Sequence, residues 1–433
     1  MSAKPNFLQR LLNVRRAEAP TLAAGMYHFR RETRGRHARF HLRVEHDGSG
    51  LLLANASIAA RLTQSGLLIA HSLLQGEPDA VVLAHMQNIY GGVDAATLER
   101  DIDRVRGLIT RLMDPEEAGT FNLDDVAATP NPSELIAPLT ADLPIESPER
   151  LRPLIDRLWE VGIPHVVFTV ETGARADHIV RAVERAGDVG LITGVRGRGL
   201  DLGAGTLLND LATAGVDHVS VYYASHRTDL HDFLYGAGDH LAAEDLIRRV
   251  RAKEITPVAE MVLVDATLRE LEETVVVLNA LSVRNAGFWA LAEPTETTAP
   301  ALGANALPQA AARVEASSHQ QNVQYVWYPT VRVAAGDVEV GDASIVQAAA
   351  RRGPRCSGDL AVRVEADGSV IAPRGGRVVA GNLWTDPWGA IWSGPALVGY
   401  RARLQTPTHC ATCPGLALCA ADCPKDPTGW ADA

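Results

Sequence analysis

Cysteine is scarce in this chain. There are five in 433 residues, the first at Cys356. The other four are Cys410, Cys413, Cys419 and Cys423. A secreted disulfide framework would spread its cysteines along the chain. This clustering instead points to a metal site in a cytoplasmic protein. Long apolar runs are also missing: no stretch reaches the ~18 residues that span a bilayer, so no membrane partner is expected. Positive charge is in deficit as well. A formal net charge of -11 argues against a nucleic-acid partner, which usually meets a basic face. Residues 1–24 are basic but lack a long apolar core and a small-residue cleavage site. They read as an arm or docking helix rather than a signal peptide. The remaining composition, 46% hydrophobic and 21% charged, is that of a soluble globular protein long enough to bury a core without staples.

The patterning changes along the chain. Within residues 25–113, Arg39 to Glu45 alternates apolar and polar residues with period two, as a half-buried strand does. Asp47-Gly48-Ser49-Gly50 supplies a turn and Leu51 to Ala54 a second strand, so a hairpin is expected. Three helical patterns follow. Thr63 to Leu74 stops at Gly76, and Pro78 to Tyr90 stops at Gly91-Gly92. Asp94 to Leu112 carries Leu98, Ile102, Val105, Leu108, Ile109 and Leu112 on one face. Residues 114–147 read as a linker plus a first short strand at Leu135 to Leu139.

Residues 148–330 alternate helix and strand about six times. The strands are His165 to Thr169, Val189 to Thr193, His218 to Tyr222, Pro257 to Leu263, Gly287 to Leu291 and Val323 to Tyr328. Apolar strands between amphipathic helices predict an α/β parallel sheet covered by helices, and about six repeats suit a partial barrel. Residues 331–433 are rich in Gly, Pro and Trp, with a hairpin around Asp367-Gly368 before the cysteines.

The cysteine spacing is C-x2-C-x5-C-x3-C. The two-residue gap lets two thiolates take one corner of a metal, and the longer gap passes a loop around it. Thiolates are soft ligands, so the set suits an iron–sulfur cluster or zinc and excludes magnesium and calcium. The tail has little core of its own, so its fold is expected to depend on the metal.

The cysteine motif, Cys356-Ser-Gly, the hairpin Leu360 to Pro373 and the run Gly381-Asn382-Leu383 to Ile391-Trp392 together resemble a SPASM domain. That domain is the auxiliary-cluster module of radical SAM peptide maturases. The αβ repeat before it is similar to their partial (βα)6 TIM-like barrel. The front unit resembles the PqqD-like (winged-helix) peptide-chaperone domain. The resemblance implies an N-terminal small α+β domain at 25–113, a radical SAM-like partial barrel at 148–330 and a SPASM-like domain at 331–433. It implies one iron–sulfur cluster of 4Fe–4S type on Cys410, Cys413, Cys419 and Cys423, with Cys356 as an alternate ligand and zinc as the other metal. It also implies a precursor or leader peptide as partner, taken by strand addition on the hairpin edge, or an active radical SAM maturase.

The chain departs from that family at the catalytic centre. Radical SAM enzymes carry C-x3-C-x2-C just after the first barrel strand, where three thiolates hold the cluster that binds and reduces SAM. Glu134 to Glu146 has no cysteine. The Gly-Gly-Glu-Pro segment that holds the SAM amino group is replaced by Val170-Glu171-Thr172-Gly173, of which Glu171 is a remaining polar candidate. Full SPASM domains use more cysteines, for two clusters, and Arg374 stands where another would be expected. SAM cleavage is therefore not expected, and a peptide-binding or scaffolding role is. An enzyme using other chemistry at the strand ends and a zinc-stabilised structural protein are the alternatives.

Other candidates are His165, His218 and His226 at strand ends, and Glu260, a mid-strand carboxylate that faces either a lumen or a basic partner. Gly194-Val-Arg-Gly-Arg-Gly199 reads as a loop able to meet an anion. It lacks the Lys-Ser/Thr pair of a P-loop. Tyr222, Tyr223, Trp289, Trp327 and Tyr328 read as core packing.

Overall fold

The structure is a computed structural model. It describes residues 22–33, 36–45, 48–54, 58–113, 135–293, 301–303, 306–332, 343–356, 358, 360–373 and 378–402. The chain divides into two compact units, Met1–Asn131 and Pro132–Ala433.

In the first unit the expected hairpin is the centre of a larger sheet. Strands β1 (Gly25–Thr33), β2 (Arg36–Val44), β3 (Gly50–Ala54) and β4 (Ile58–Leu62) pair antiparallel in the order β1-β2-β3-β4. Phe40, Leu42 and Val44 of β2 and Leu52 and Ala54 of β3 point into one core. The outer strands were not legible because β1 alternates weakly and its described side chains are half-buried or exposed. The hairpin therefore has no free edge; the edges belong to β1 and β4.

Three helices cover the core: α1 (Gln64–Gln75), α2 (Asp79–Ile89) and α3 (Ala95–Met113). Thr63 caps α1 by accepting from the Gly66 amide at 3.3 Å, and Gly76 ends it at φ 89. Asp94 accepts from the Thr97 amide at 2.9 Å to open α3. The predicted stripe of α3 is buried at all six positions from Leu98 to Leu112.

The second unit is an α/β structure on a parallel sheet. Its first strand, β5 (Thr140–Pro144), lies later than the predicted Leu135 to Leu139. Residues 145–147 then lead directly into α4 (Pro148–Glu160). The pattern continues with β6 (His165–Thr169), α5 (Ala176–Val189), β7 (Ile192–Gly197), the short α6 (Gly199–Leu202), α7 (Leu207–Ala214) and β8 (His218–Tyr222). It goes on with α8 (Thr228–Tyr235), α9 (Asp239–Ala252), β9 (Thr256–Leu263), α10 (Asp265–Arg269), α11 (Leu271–Ala280) and β10 (Asn285–Glu293). Then come β11 (Leu302–Gly303), α12 (Leu307–Gln320), β12 (Gln324–Trp327), β13 (Val331–Arg332) and α13 (Ala343–Arg352).

Strands β5 to β10 are neighbours in sequence order and all parallel; β12 pairs with the start of β10, and β11 and β13 with its end. One face packs under the apolar stripes of helices such as α5 (Ile179, Ala182, Val183, Ala186) and α9 (Ala243, Leu246, Ile247, Val250).

The last described segment joins the same sheet. Strand β14 (Ala361–Val364) runs parallel to β5, with Thr140 opposite Ala361. Strands β15 (Ser369–Ile371) and β16 (Val379–Asn382) follow antiparallel, so the predicted hairpin at Asp367-Gly368 forms. Helices α14 (Trp388–Trp392) and α15 (Pro395–Ala402) close the segment. Trp388 and Trp392 donate their indole N–H to the carbonyls of Ile136 and Leu135, and the Arg401 guanidinium lies 3.8 Å from the Trp392 ring centre. No helix among the described residues is long and apolar enough to cross a membrane.

Candidate functional site

Side chains alternate across a strand, so residues two apart share a face. On the face of the parallel sheet away from the helices stand Thr140 and Asp142 of β5, His165 and Thr169 of β6, and Gly194 and Arg196 of β7. With them are His218, Ser220 and Tyr222 of β8, Glu260 of β9, and Gly287 and Trp289 of β10. This inner face is polar at its centre.

Arg196, 4% exposed, organises that centre. Its Nη1 donates to Asp142 Oδ2 at 2.5 Å, its Nε to Glu260 Oε1 at 3.1 Å and its Nη2 to the Tyr328 hydroxyl at 3.2 Å. Tyr328 donates in turn to Glu260 Oε1 at 3.1 Å. One guanidinium thus meets carboxylates from β5 and β9, two strands away on either side, which requires the sheet to curve around it. Burial raises the Glu260 carboxyl above its ordinary range; Arg196 and the Tyr328 hydrogen bond oppose the shift. Gly287 makes the arrangement possible, because a β-carbon there would collide with the Glu260 carboxylate and the Tyr328 ring.

Below this cluster His165 and His218 touch, Nε2 to Nε2 at 2.8 Å. His165 Nδ1 meets the Thr140 hydroxyl at 3.0 Å. Burial, and next the Arg196 charge, push His218 down to about 4, so it is neutral at physiological pH. Two facing nitrogens at this distance share one proton, with one ring donating and the other accepting. Gly194 clears the space that the His218 ring fills.

Above the cluster, towards the C-terminal strand ends, the inner face becomes aromatic. Tyr222 stacks on Tyr235 of α8 with ring centres 5.3 Å apart and lies 6.3 Å from Trp289. Val346 and Ala350 of α13 belong to the same apolar cluster. Helix α13 is tied down by Gln347 to the Phe233 carbonyl at 2.8 Å and by Arg351 to the Leu234 carbonyl at 3.1 Å. The chain's own side chains fill this end.

The sequence-level candidates fare unequally. Cys410, Cys413, Cys419 and Cys423 lie outside the described residues. Cys356 is a buried free thiol beside Asp142; burial and that carboxylate hold it well above its ordinary value, so it is protonated. The reading of Gly194 to Gly199 as an anion loop is corrected. Helix α5 runs on to Val189 and Gly190 ends it at φ 87, so β7 starts at Ile192 and carries Arg196 inward, where carboxylates satisfy it. Glu260 does face inward and is paired with a base.

Glu171 is exposed, and residues 145–147, the whole β5–α4 connection, contain no thiol. Those residues do not fit a SAM-binding cluster. His226 meets the Thr274 hydroxyl at 3.2 Å. Tyr223 packs on the helix side and donates to Glu244 at 3.1 Å, and Trp327 packs on Phe288. Among the described residues no group of three or more His, Cys, Asp and Glu side chains converges as a metal site would need.

Sequence reasoning missed Asp142, because Thr140 to Pro144 contains an Asp and a Pro and reads as linker. It also missed the His231–Asp239 pair, fully buried at 2.9 Å. His231 Nδ1 accepts from the Ala224 amide, and Asp239 accepts from the Leu200 amide. Both ring nitrogens are engaged, so the pair pins the β7 and β8 ends to α8 and α9 and has no free nitrogen for proton transfer.

No family model and no curated protein matches the sequence. Solved structures do match. SuiB of Streptococcus suis bound to S-adenosylmethionine superposes with a TM-score of 0.54 at 11% identity, covering 91% of this chain and 94% of that one. SuiB bound to its precursor peptide SuiA gives a TM-score of 0.51 at 10% identity, over 87% of this chain and 92% of that one. At such identity the likeness is one of fold: this chain shares the α/β fold of SuiB.

Proposed function

We propose that this chain is a catalytically degenerate radical SAM/SPASM-like protein that recognises or scaffolds a precursor peptide or a partner maturase in the cytoplasm. In this reading the second unit is a partial (βα)6 barrel followed by a SPASM-like segment, and the first unit is a PqqD-like peptide-binding domain. The observation that carries it is the occupied inner face. Where a radical SAM enzyme keeps its cluster and SAM, this chain has a three-residue thiol-free connection, a closed Arg196–Asp142–Glu260–Tyr328 network and an aromatic layer under α13. SuiB was solved with a precursor peptide, and this chain keeps that fold over most of its length.

Cys410, Cys413, Cys419 and Cys423 are the proposed ligands of one iron–sulfur cluster, with zinc as the other metal their chemistry fits. The cluster stabilises its segment. A peptide joining the first unit by strand addition would use β1 or β4, the edge strands of the sheet among the described residues.

Three measurements on one anaerobic preparation test the reading. Metal analysis should give about four irons and matching sulfide per chain. Incubation with SAM and a strong reductant should yield no 5′-deoxyadenosine above the protein-free rate. Precursor peptides and maturases encoded beside it should bind with saturation. SAM cleavage at enzymatic rates, or failure of every such partner to bind, overturns it.

A further inference from the structure

A strand at the edge of a sheet invites other chains to pair with it, and proteins commonly blunt such edges with charge. Strand β1 of the first unit is an edge among the described residues, and its nine residues reach about 30 Å. Its two faces differ. Tyr27 and Phe29 pair with Leu42 and Phe40 on the core side, yet both are only partly buried. Their rings stand edge-on to His71 of α1 at 5.2 and 5.7 Å, so β1 and α1 share an aromatic rim. Arg30 lies on the other face and is exposed.

The charge of this sheet opposes that of the chain. Residues 25–62 hold seven arginines and three acidic residues, while the whole chain carries -11. Several of these basic groups are already engaged. Arg43 is held by Glu45 at 2.6 Å, Arg31 donates to the Leu73 carbonyl, and His28 meets His41 at 2.7 Å. Arg30 has no hydrogen bond or ion pair among the described residues, and the strand register sets it opposite Arg39. Like charges opposite each other on neighbouring strands are destabilising, and an anion beside them relieves the repulsion. Blunting of the edge accounts for an arginine, but not for two half-covered aromatic rings on the other face. An added strand meets both needs, because its own side chains alternate between the faces.

We propose that the β1 edge binds an extended peptide in which apolar and acidic residues alternate, the apolar ones covering Tyr27 and Phe29 and the acidic ones meeting Arg30. Strand β4, five residues with Arg61 as its one charge, is not the binding edge. The proposal rests on the peptide-recognition reading and specifies its ligand.

The test is fluorescence anisotropy of labelled nine-residue peptides that alternate Val with Glu, Gln or Lys, titrated with the full anaerobic chain. The Val–Glu peptide should saturate, bind about tenfold more tightly than Val–Gln and weaken with added salt, while Val–Lys should not bind. Arg30→Glu should weaken Val–Glu roughly tenfold and admit Val–Lys, whereas Arg61→Glu should leave both unchanged. N-methylation of alternate Val–Glu amides should abolish binding in one of its two phases, the one whose N–H groups face β1. Equal affinity for the three peptides, saturable binding of none, or the same loss in Arg61→Glu as in Arg30→Glu overturns the proposal. A precursor encoded beside this protein that binds equally well to Arg30→Glu overturns it too, and leaves peptide recognition standing. Tight Val–Glu binding with no encoded partner does the reverse.

Discussion

Replacing Arg196 by Met is the sharpest single perturbation of this protein. The side chain is 5% exposed, and its carboxylate partners Asp142 and Glu260 are 4% and 1% exposed. Methionine fills similar length but removes three hydrogen bonds and the positive charge that both carboxylates share. Breaking a buried ion pair from one side costs about 3–5 kcal/mol, because the abandoned charge remains in a dry site. Total unfolding free energies are roughly 5–15 kcal/mol, so a large fraction of the second unit's stability is at stake.

Urea unfolding followed by tryptophan fluorescence isolates that unit, since all seven tryptophans lie within it. The loss should depend on pH. Glu260 already has a raised carboxyl pKa in the fold, and Arg196 is the main influence opposing the rise. Without Arg196 it climbs further. A group whose pKa is raised by folding favours the folded state at low pH and loses that advantage as pH rises through its folded value. The deficit of Arg196→Met should therefore be smaller at pH 5 than at pH 8. The triple variant Arg196→Met, Asp142→Asn, Glu260→Gln removes all three charges and should recover much of the loss. Equal deficits at both pH values, or a triple variant no more stable than the single one, would refute the electrostatic account.

Two further outcomes follow from the same face. His218 is lowered from 6.5 to about 4, so folding should lose stability as pH falls between these values, by at most roughly 3 kcal/mol, and His218→Gln should flatten that slope in acid titrations followed by circular dichroism. Gly287→Ala forces a β-carbon onto Glu260 and Tyr328 and should cost about 1–3 kcal/mol in urea unfolding. Gly389→Ala, whose β-carbon meets nothing within 4 Å, should stay within about 0.5 kcal/mol.

The repeating αβ architecture was legible because period and caps agree. Helix stripes and glycine stops placed the three helices of the first unit, and the apolar strand at His218 to Tyr222 of the second fell where expected. The site was less legible for a definite reason. Its strands carry inward polar residues, so they lose the apolar texture that marks a strand. Thr140 to Pro144 reads as linker because Asp142 belongs to a partner far along the chain. Arg196 sits among glycines that serve neighbours, Gly194 making room for His218, and so looks like loop. Gly190 was the available signal: taken as a helix C-cap, it shifts β7 and turns Arg196 inward. Glu260 was legible as an inward carboxylate, but its partner was not, since no local pattern links β9 to β7.

The pairing of β14 with β5 has a consequence for how the chain is made. Thr140 leaves the ribosome more than two hundred residues before Ala361, the residue it pairs with. At roughly 5–20 residues per second, that flank of β5 waits about ten to forty seconds without its neighbour. An open strand edge is a template for pairing with another nascent chain. The native contact also closes a very long loop, which slows its formation. The interval between translating β5 and β14 is thus the vulnerable period in biosynthesis, and chaperone demand should track elongation speed across it.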